Sequence, residues 1–207
     1  MNYNAFISSS TKSQVRDYLR LPIRCLKMSQ IVDQDRKMLD SMPKDKLLDL
    51  FFLHIRNLWR VDGLYFLGIE EKFDTDAATE IDANCWRLMG KLEARALKKT
   101  LGIKGNDVAS LIHALKNTSW SLDQRDKETE VSETRGIYRV TKCRTQLTRI
   151  RNGLGEFPCK KVRFGYLKSF TEEMNPNIEV NCKICPPGEH PQNIWCEWEF
   201  KLKKDKT

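Results

Sequence analysis

The sequence contains none of the long apolar segments typical of membrane and secreted proteins. No run in its 207 residues approaches the roughly 18 apolar residues of a membrane-spanning helix. The opening Met-Asn-Tyr-Asn includes no basic segment leading into an apolar stretch, so we expect no signal peptide. These absences predict a reducing, cytoplasmic compartment, where cysteine pairs serve metal or redox chemistry more often than disulfides.

Patterns of nucleic-acid binding and of histidine chemistry are also absent. No helix-turn-helix, RNA-recognition or zinc-finger pattern accompanies the net charge of +8. Most of that charge lies in residues 141–168, which hold eight basic residues and one acidic residue. The histidines, His54, His113 and His190, do not have the spacing of a paired metal site. We therefore expect no nucleic-acid partner, and a basic face that docks an acidic protein remains an alternative.

The sequence does contain enough apolar residues for one domain with a core, because 40% of the residues are hydrophobic and 31% are charged. Residues 1–40 mix polar residues with a weakly amphipathic stretch that Pro22 interrupts, which predicts a partly helical arm. Residues 41–207 then form a single domain. Its first part, residues 41–118, is predicted to be helical, and residues 119–207 are predicted to hold a sheet and a metal site.

Within residues 41–118, apolar spacing of three and four predicts three helices. The first runs from about Asp45 to Lys72, the second is capped by Asp74 or Thr75 and ends at Gly102, and the third is capped by Asn106.

The spacing of apolar residues changes after residue 118, from the period of a helix to the alternation of a strand. Residues 119–134 predict an exposed hairpin, and alternating strands are predicted at 136–143, 178–183 and 194–202. Short and long helices are predicted at 145–151 and 159–174. Helices first and strands later are typical of an α+β fold, with N-terminal helices packed on a mostly antiparallel sheet.

Four of the seven cysteines fall close together near the end of the sequence, and they are Cys159, Cys182, Cys185 and Cys196. A tetrahedral zinc takes four thiolates at about 2.3 Å, and a Cys-x-x-Cys pair supplies two of them from one tight turn. A structural zinc site is the interpretation we favour. An iron–sulfur cluster, a redox dithiol of Cys182 and Cys185, and inert buried thiols remain open.

The same region resembles the four-vinyl-reductase type of ligand-binding domain. The motifs that carry the resemblance are Cys159, the helix segment Gly165-Tyr166-Leu167-Lys168-Ser169-Phe170, the strand end Cys182-Lys183-Ile184-Cys185, and the strand Cys196-Glu197-Trp198-Glu199-Phe200. The run from Tyr138 to Cys143 is similar to the L-2-amino-thiazoline-4-carboxylic acid hydrolase-like branch of that superfamily. Residues from about 47 to 200 look most like a prokaryotic family of unassigned function in its neighbourhood.

The resemblance implies a zinc held by Cys159, Cys182, Cys185 and Cys196. Cys182 stands where the zinc-bearing aromatic sensors of the superfamily have a glutamate, so the implied site is closed and structural. The resemblance also implies an internal small-molecule pocket and a homodimer. It does not imply reductase chemistry.

A second group of residues, on the predicted N-terminal helices, combines aromatic rings with acids. Such a group is more often core, but as a pocket it fits a planar or apolar ligand, with Asp62 or Arg149 fixing the polar end. The candidate ligand-binding residues are Trp59, Asp62, Tyr65, Phe66, Trp86 and Arg149.

The sequence thus predicts a zinc-stabilised, sensor-like protein that binds a small molecule in an apolar pocket. The alternative is a hydrolase of a small cyclic or amide substrate, with Asp62, Glu70 or Cys143 as acid–base group or nucleophile. A sensor needs a cavity without a convergent titratable pair. A hydrolase needs an acid and a base that reach one pocket.

Overall fold

Helices precede strands in the fold, and together they make an α+β architecture. The structure is a computed structural model that describes residues 33–203. The elements in this range are α1 (Asp33–Asp40), α2 (Lys44–Lys72), α3 (Thr75–Thr100), α4 (Val108–Lys116), α5 (Ser119–Asp123), β1 (Asp126–Val131), β2 (Arg135–Lys142), α6 (Arg144–Arg151), α7 (Cys159–Met174), β3 (Ile178–Ile184) and β4 (Cys196–Leu202). No helix of the described range combines the length and the apolar character that crossing a membrane requires.

The chain divides into two compact units, Met1–Asp49 and Leu50–Thr207. In the first unit, α1 supplies helix within the predicted arm, and residues 1–32 lie outside the described residues. The second unit contains the sheet, the buried core and every residue of the candidate site.

Capping side chains set the starts of the long helices. Asp74 accepts a hydrogen bond from the amide of Ala77 at 2.7 Å, which starts α3 as predicted. Gly102 follows the helix with a φ of +63°, the left-handed conformation that glycine adopts most readily. The predicted cap of α4 is wrong by one residue, because Asp107 and not Asn106 accepts from the amide of Ser110.

The hairpin predicted across residues 119–134 is wrong in its first half. Residues 119–123 form the short helix α5, because the hydroxyl of Thr118 accepts from the amide of Ser121 and caps it. This turn buries Trp120, whose side chain lies against Tyr138 of β2. Only the second half, β1, pairs with β2 as a strand.

The four strands form one antiparallel sheet in the order β1-β2-β4-β3. Tyr138 of β2 lies opposite Trp198 of β4, and both are fully buried. On β4 the acidic residues form ion pairs across the sheet, as Arg139 donates to Glu197 at 2.6 Å. The alternation of apolar and charged residues therefore gives the sheet one face in the core.

Helix α7 crosses α3 at very close range. A Cβ added to Gly90 of α3 would overlap the carbonyl oxygen of Tyr166 in α7. The hydroxyl of Ser169 donates to the carbonyl of Arg87 at 2.5 Å and joins the two helices. This contact fixes the N-terminal turn of α7, with Cys159 and Arg163, beside the faces of α2 and α3.

Candidate functional site

A cavity of about 400 Å³ lies in the second unit, among α2, α3, α5, α6 and α7. One side is lined by aromatic rings. Trp59 of α2 and Trp86 of α3 stack in parallel with ring centroids 4.7 Å apart, and Trp120 of α5 and Phe66 of α2 complete this wall. Stacked indoles of this kind offer flat apolar surface to a ligand.

Arg163 is the most unusual residue in the cavity wall. Its side chain is only 4% exposed, although arginine is rarely buried without a carboxylate partner. The guanidinium carbon lies 4.6 Å from the ring of Trp120 and 5.4 Å from that of Trp86, with Trp59 and Tyr166 close by. These rings stabilise the cation through its faces. Its Nε and Nη1 atoms have no hydrogen-bond partner.

Two carboxyl groups face the same part of the cavity. The indole nitrogen of Trp86 donates to Asp62 at 3.0 Å. Burial raises the pKa of Asp62, while that hydrogen bond and the charge of Arg163 act against the rise. Burial, and next the charge of Asp62, raise the pKa of Asp82 to about 7. The Oδ2 atom of Asp82 is buried and has no hydrogen-bond partner.

A second polar group lies at the α5 and α6 side of the cavity. Asp123 is 4% exposed, and its carboxylate forms ion pairs with Arg56 at 3.1 Å and Arg144 at 3.5 Å. Burial raises the pKa of Asp123, and the two arginines act against the rise. This end of the cavity therefore has an excess of positive charge.

Five of the six ligand-binding residues predicted from sequence line this cavity, namely Trp59, Asp62, Phe66, Trp86 and Arg149. Tyr65 does not lie in the cavity wall and is 72% exposed. The reason is helical geometry, since each residue turns by about 100° and Tyr65 is offset by that angle from the inward-facing Phe66.

Arg149 reaches the cavity, but each of its three guanidinium nitrogens already donates to an acceptor of the protein. Its two terminal nitrogens each donate to Glu70 at 2.9 Å, and its Nε donates to the carbonyl of Gly155. The hydrogen bonds from Arg149 lower the pKa of Glu70, whose side chain does not line the cavity. The ion pair between Arg149 and Glu70 joins α6 to α2. Neither residue is therefore positioned to act as an acid or a base in the cavity.

Cys143 lies in the cavity wall at the start of α6. Burial raises the pKa of its thiol to about 12, and the neighbouring Cys159 adds to the rise. A thiol in that state is protonated at neutral pH, and protonated thiols are poor nucleophiles.

The four cysteines predicted as metal ligands converge from three elements and one turn. The single S–H of Cys185 lies within hydrogen-bond reach of both Cys159 and Cys182, which lowers the pKa of these two thiols and raises that of Cys185. Cys196, on β4, is fully desolvated, and its charge interacts with those of Cys159 and Cys185. The fold thus gathers these sulfurs in one region. Within residues 33–203, no three His, Cys, Asp or Glu side chains have the tight arrangement of a formed metal site.

His190, from the loop between β3 and β4, does not join the sulfurs. Its Nε2 lies 3.1 Å from Glu156 and its ring packs beside Trp195. The hydrogen bond with the carbonyl of Pro191, followed by the contact with Glu156, raises the pKa of the imidazole. This loop histidine therefore pairs with an acid at the surface.

Asp82, Trp120 and Arg163 are among the cavity residues that were not predicted from sequence. For Asp82 and Arg163, the position of the residue on its helix could have indicated a role. Asp82 shares a helix face with Trp86, and Arg163 lies between the buried Val162 and Tyr166. A charged residue on the apolar face of a helix is unusual enough to indicate a buried polar function.

Comparison with known proteins gives a family and no individual relative. No curated protein and no solved structure matches the chain. A family model matches residues 40–202, which cover the second unit almost entirely. The chain belongs to that family, a family of unknown function (DUF6125).

Proposed function

We propose that the protein binds a planar small molecule in the cavity between α2, α3, α5, α6 and α7. In the same proposal, a structural zinc at Cys159, Cys182, Cys185 and Cys196 stabilises the α7 side of the cavity. Membership of the four-vinyl-reductase type of domain, a cytoplasmic location and a homodimer also belong to it. The aromatic wall accounts for a planar ligand, because indole faces pack well against flat rings.

The main support for the proposal is a group of buried polar atoms without hydrogen-bond partners in residues that line the cavity. Among the described residues, ten buried side-chain nitrogen and oxygen atoms have no hydrogen-bond partner, and seven of them belong to residues that line this cavity. Three of the seven, Nε of Arg56, Oδ1 of Asp123 and Nε of Arg144, belong to the ion pairs described above. The other four are Oδ2 of Asp82, Oε1 of Gln124, and Nε and Nη1 of Arg163. Leaving a buried polar atom unpaired costs about 1–3 kcal/mol, so four such atoms in residues around one cavity support a binding role for these residues.

The donor chemistry of the cysteines supports zinc. Four thiolates form a closed tetrahedral set, and two of them come from the Cys182–Cys185 turn. When bound, such an ion supplies a crosslink and leaves no open position for water. The hydrogen bond from Cys185 lowers the pKa of Cys159 most, and the charge and a hydrogen bond of Arg163 lower it further. Arg163 therefore connects the proposed metal site with the cavity.

Mass spectrometry of small molecules released from natively purified protein tests the ligand. We expect an aromatic compound that is retained by wild type and by Glu80→Gln, an exposed change on α3. Trp86→Ala should release it, because this change removes one half of the stacked pair. Equal recovery from wild type and Trp86→Ala would contradict binding in this cavity.

A specific observation also favours a second function, a hydrolase of a small cyclic amide. Asp62 and Asp82 line one cavity, and the pKa of Asp82 is raised to about 7, which suits a general acid or base at neutral pH. Incubating the protein with a cyclic amide and detecting a ring-opened product tests this function. Asp82→Asn should lose this activity. If the compound stays intact after incubation with wild type, the hydrolase function is wrong and only ligand binding remains proposed.

A further inference from the structure

The α5 and α6 end of the cavity holds more arginines than its acidic residues neutralise. Arg56 of α2 and Arg144 of α6 approach the two oxygens of one carboxylate, Asp123, at 3.1 and 3.5 Å. Among the described residues, no other carboxylate lies within ion-pair distance of either arginine. Arg60, one turn further along α2, also lines the cavity and donates to the neutral side chain of Asn57. Three arginines therefore share one carboxylate.

The charges of these residues act on one another. Burial raises the pKa of Asp123, and the charges of Arg56, Arg144 and Arg60 act against the rise. Burial also lowers the pKa of Arg144. The charge of Asp123 opposes this change, and neighbouring arginines, first Arg56, add to it. Like charges held this close repel one another, so a bound anion would stabilise the group.

Arg56 and Arg144 have donors that the protein does not use. Their side chains line the cavity and are 28% and 27% exposed. Their terminal nitrogens form no hydrogen bond with another described residue and are not among the buried unpaired atoms, so these nitrogens keep accessible surface. Such N–H groups match the oxygens of carboxylates and phosphates. Helix α6 begins at Arg144, and its N-terminus adds partial positive charge at the same place.

Next to the arginines, one face of α2 offers apolar surface and open space. Residues on successive turns of this face line the cavity about 5–6 Å apart, namely Arg56, Trp59, Gly63 and Leu67. A Cβ added to Gly63 would meet no atom within 4 Å, which leaves room for a ring beside Trp59. The indole nitrogen of Trp59 donates to the carbonyl of Ser119 at 3.0 Å and joins α2 to the start of α5. A ring beside Trp59 is thus one helical turn from the arginines.

We infer that the ligand is an anionic aromatic compound. The oxygens of its carboxylate or phosphate accept hydrogen bonds from the terminal nitrogens of Arg56 and Arg144, and its ring packs beside Trp59. A cationic ligand would add to the repulsion among the arginines, and a neutral ligand would leave that repulsion in place. The inference rests on the proposed function, because it names the class of molecule that the same cavity takes.

Isothermal titration calorimetry with four naphthalene derivatives tests the inference. The probes are 2-naphthoate, 2-naphthyl phosphate, the neutral 2-naphthamide and the cationic 2-naphthylmethylamine, each titrated into the full chain. We expect 2-naphthoate to bind about tenfold more tightly than 2-naphthamide, which has the same shape without the charge, and the amine to bind most weakly. Added salt should weaken 2-naphthoate and not 2-naphthamide. Tighter binding of 2-naphthyl phosphate than of 2-naphthoate would identify the anionic group as a phosphate.

Arginine variants test where the anion binds. Arg60→Gln retains both ion pairs of Asp123 and should reduce the preference for 2-naphthoate over 2-naphthamide about threefold, and Arg144→Gln should reduce it about tenfold. Arg151→Gln, an exposed change on α6 outside the cavity wall, should leave it unchanged. The ratio of two affinities in one protein does not depend on how much of that protein is folded.

The outcomes separate the inference from the function on which it rests. If 2-naphthamide or the amine binds wild type as tightly as both anions, the anionic class is wrong and binding of a planar molecule stands. If Arg60→Gln and Arg144→Gln keep the full preference for 2-naphthoate, the anion binds elsewhere and the inference is overturned. If none of the four probes binds wild type, the proposed function fails together with the inference.

Discussion

At the scale of single residues, the cavity contains charged groups that are buried, like Arg163, or half-buried, like Asp82, and that have few partners. Arg163 is 4% exposed and is held by rings, and Asp82 keeps a free carboxyl oxygen. Neither arrangement favours folding, because a buried charge without a hydrogen-bonded partner lowers stability. Residues kept at such a cost are expected where a ligand or a reaction uses them.

The raised pKa of Asp82 predicts that the folding stability of the protein depends on pH. Burial, then the charge of Asp62, raise its pKa from 3.8 to about 7 in the folded protein, so the folded state binds more protons than the unfolded state between these values. Stability should therefore fall as the pH rises from about 4 to about 7, and should stay level above that. Asp82→Asn removes the effect, so the variant should gain about 1–2 kcal/mol over wild type at pH 8 and little at pH 4, after allowance for solvent screening.

Urea denaturation of both proteins at pH 4, 6 and 8 measures the difference. Glu80→Gln on the same helix should show no such trend, because its side chain is exposed. A difference between Asp82→Asn and wild type that is the same at all three pH values would show that Asp82 is not held in a desolvated state.

At the scale of elements, the close approach of α3 and α7 positions the cavity. Gly90→Ala should destabilise the protein by about 1–3 kcal/mol, because the added methyl group overlaps the Tyr166 carbonyl and lies 2.8 Å from the hydroxyl of Ser169. Gly68→Ala on α2 is the matched control. No atom lies within 4 Å of its new methyl group, so better helix propensity should stabilise the protein by about 0.5–1 kcal/mol.

Thermal unfolding of the two variants distinguishes packing from propensity. A lower melting temperature for Gly90→Ala and a higher one for Gly68→Ala are expected. If both changes raise the melting temperature, α3 and α7 do not approach as closely as the structure has them.

The elements themselves were largely predictable, because apolar periodicity and capping side chains are local signals. Asp74 and Gly102 mark the ends of α3 in the sequence as well as in the structure. The helix α5 was not predictable, since Ser-Trp-Ser-Leu-Asp has the polar composition of a turn and owes its shape to the cap at Thr118 and to burial of Trp120. Tertiary packing, more than local sequence preference, therefore determines the conformation of residues 119–123.

The site was predictable only where its residues share one helix. Trp59, Asp62 and Phe66 lie on one face of α2, which spacing reveals. The surroundings of Arg163 come from helices that are far apart in sequence, including Trp59 and Trp120, and a single sequence does not indicate such contacts. The unpaired Nε and Nη1 atoms of Arg163 can therefore be recognised only from the structure.

At the scale of the whole molecule, the proposed zinc joins the first turn of α7 to the last strands of the sheet. Wild type should hold about one zinc per chain, and Cys185→Ser should hold much less, because Cys185 contacts two of the other sulfurs. Its stability should fall by several kcal/mol, since binding energy at a structural site is folding energy. Cys85→Ser, an exposed change on α3, should keep both zinc and stability.

Metal analysis by plasma mass spectrometry and alkylation of native protein check this expectation. Iron in place of zinc would indicate the cluster alternative. Substoichiometric metal, with all four cysteines alkylated at the rate of Cys85, would exclude a metal crosslink.

A crystal structure of natively purified protein, with diffraction data collected at the zinc absorption edge, tests the metal and the ligand in one experiment. We expect an anomalous peak among Cys159, Cys182, Cys185 and Cys196. We also expect flat density against the indoles of Trp59 and Trp86. Water alone in the cavity, together with no zinc peak, would contradict the proposed function.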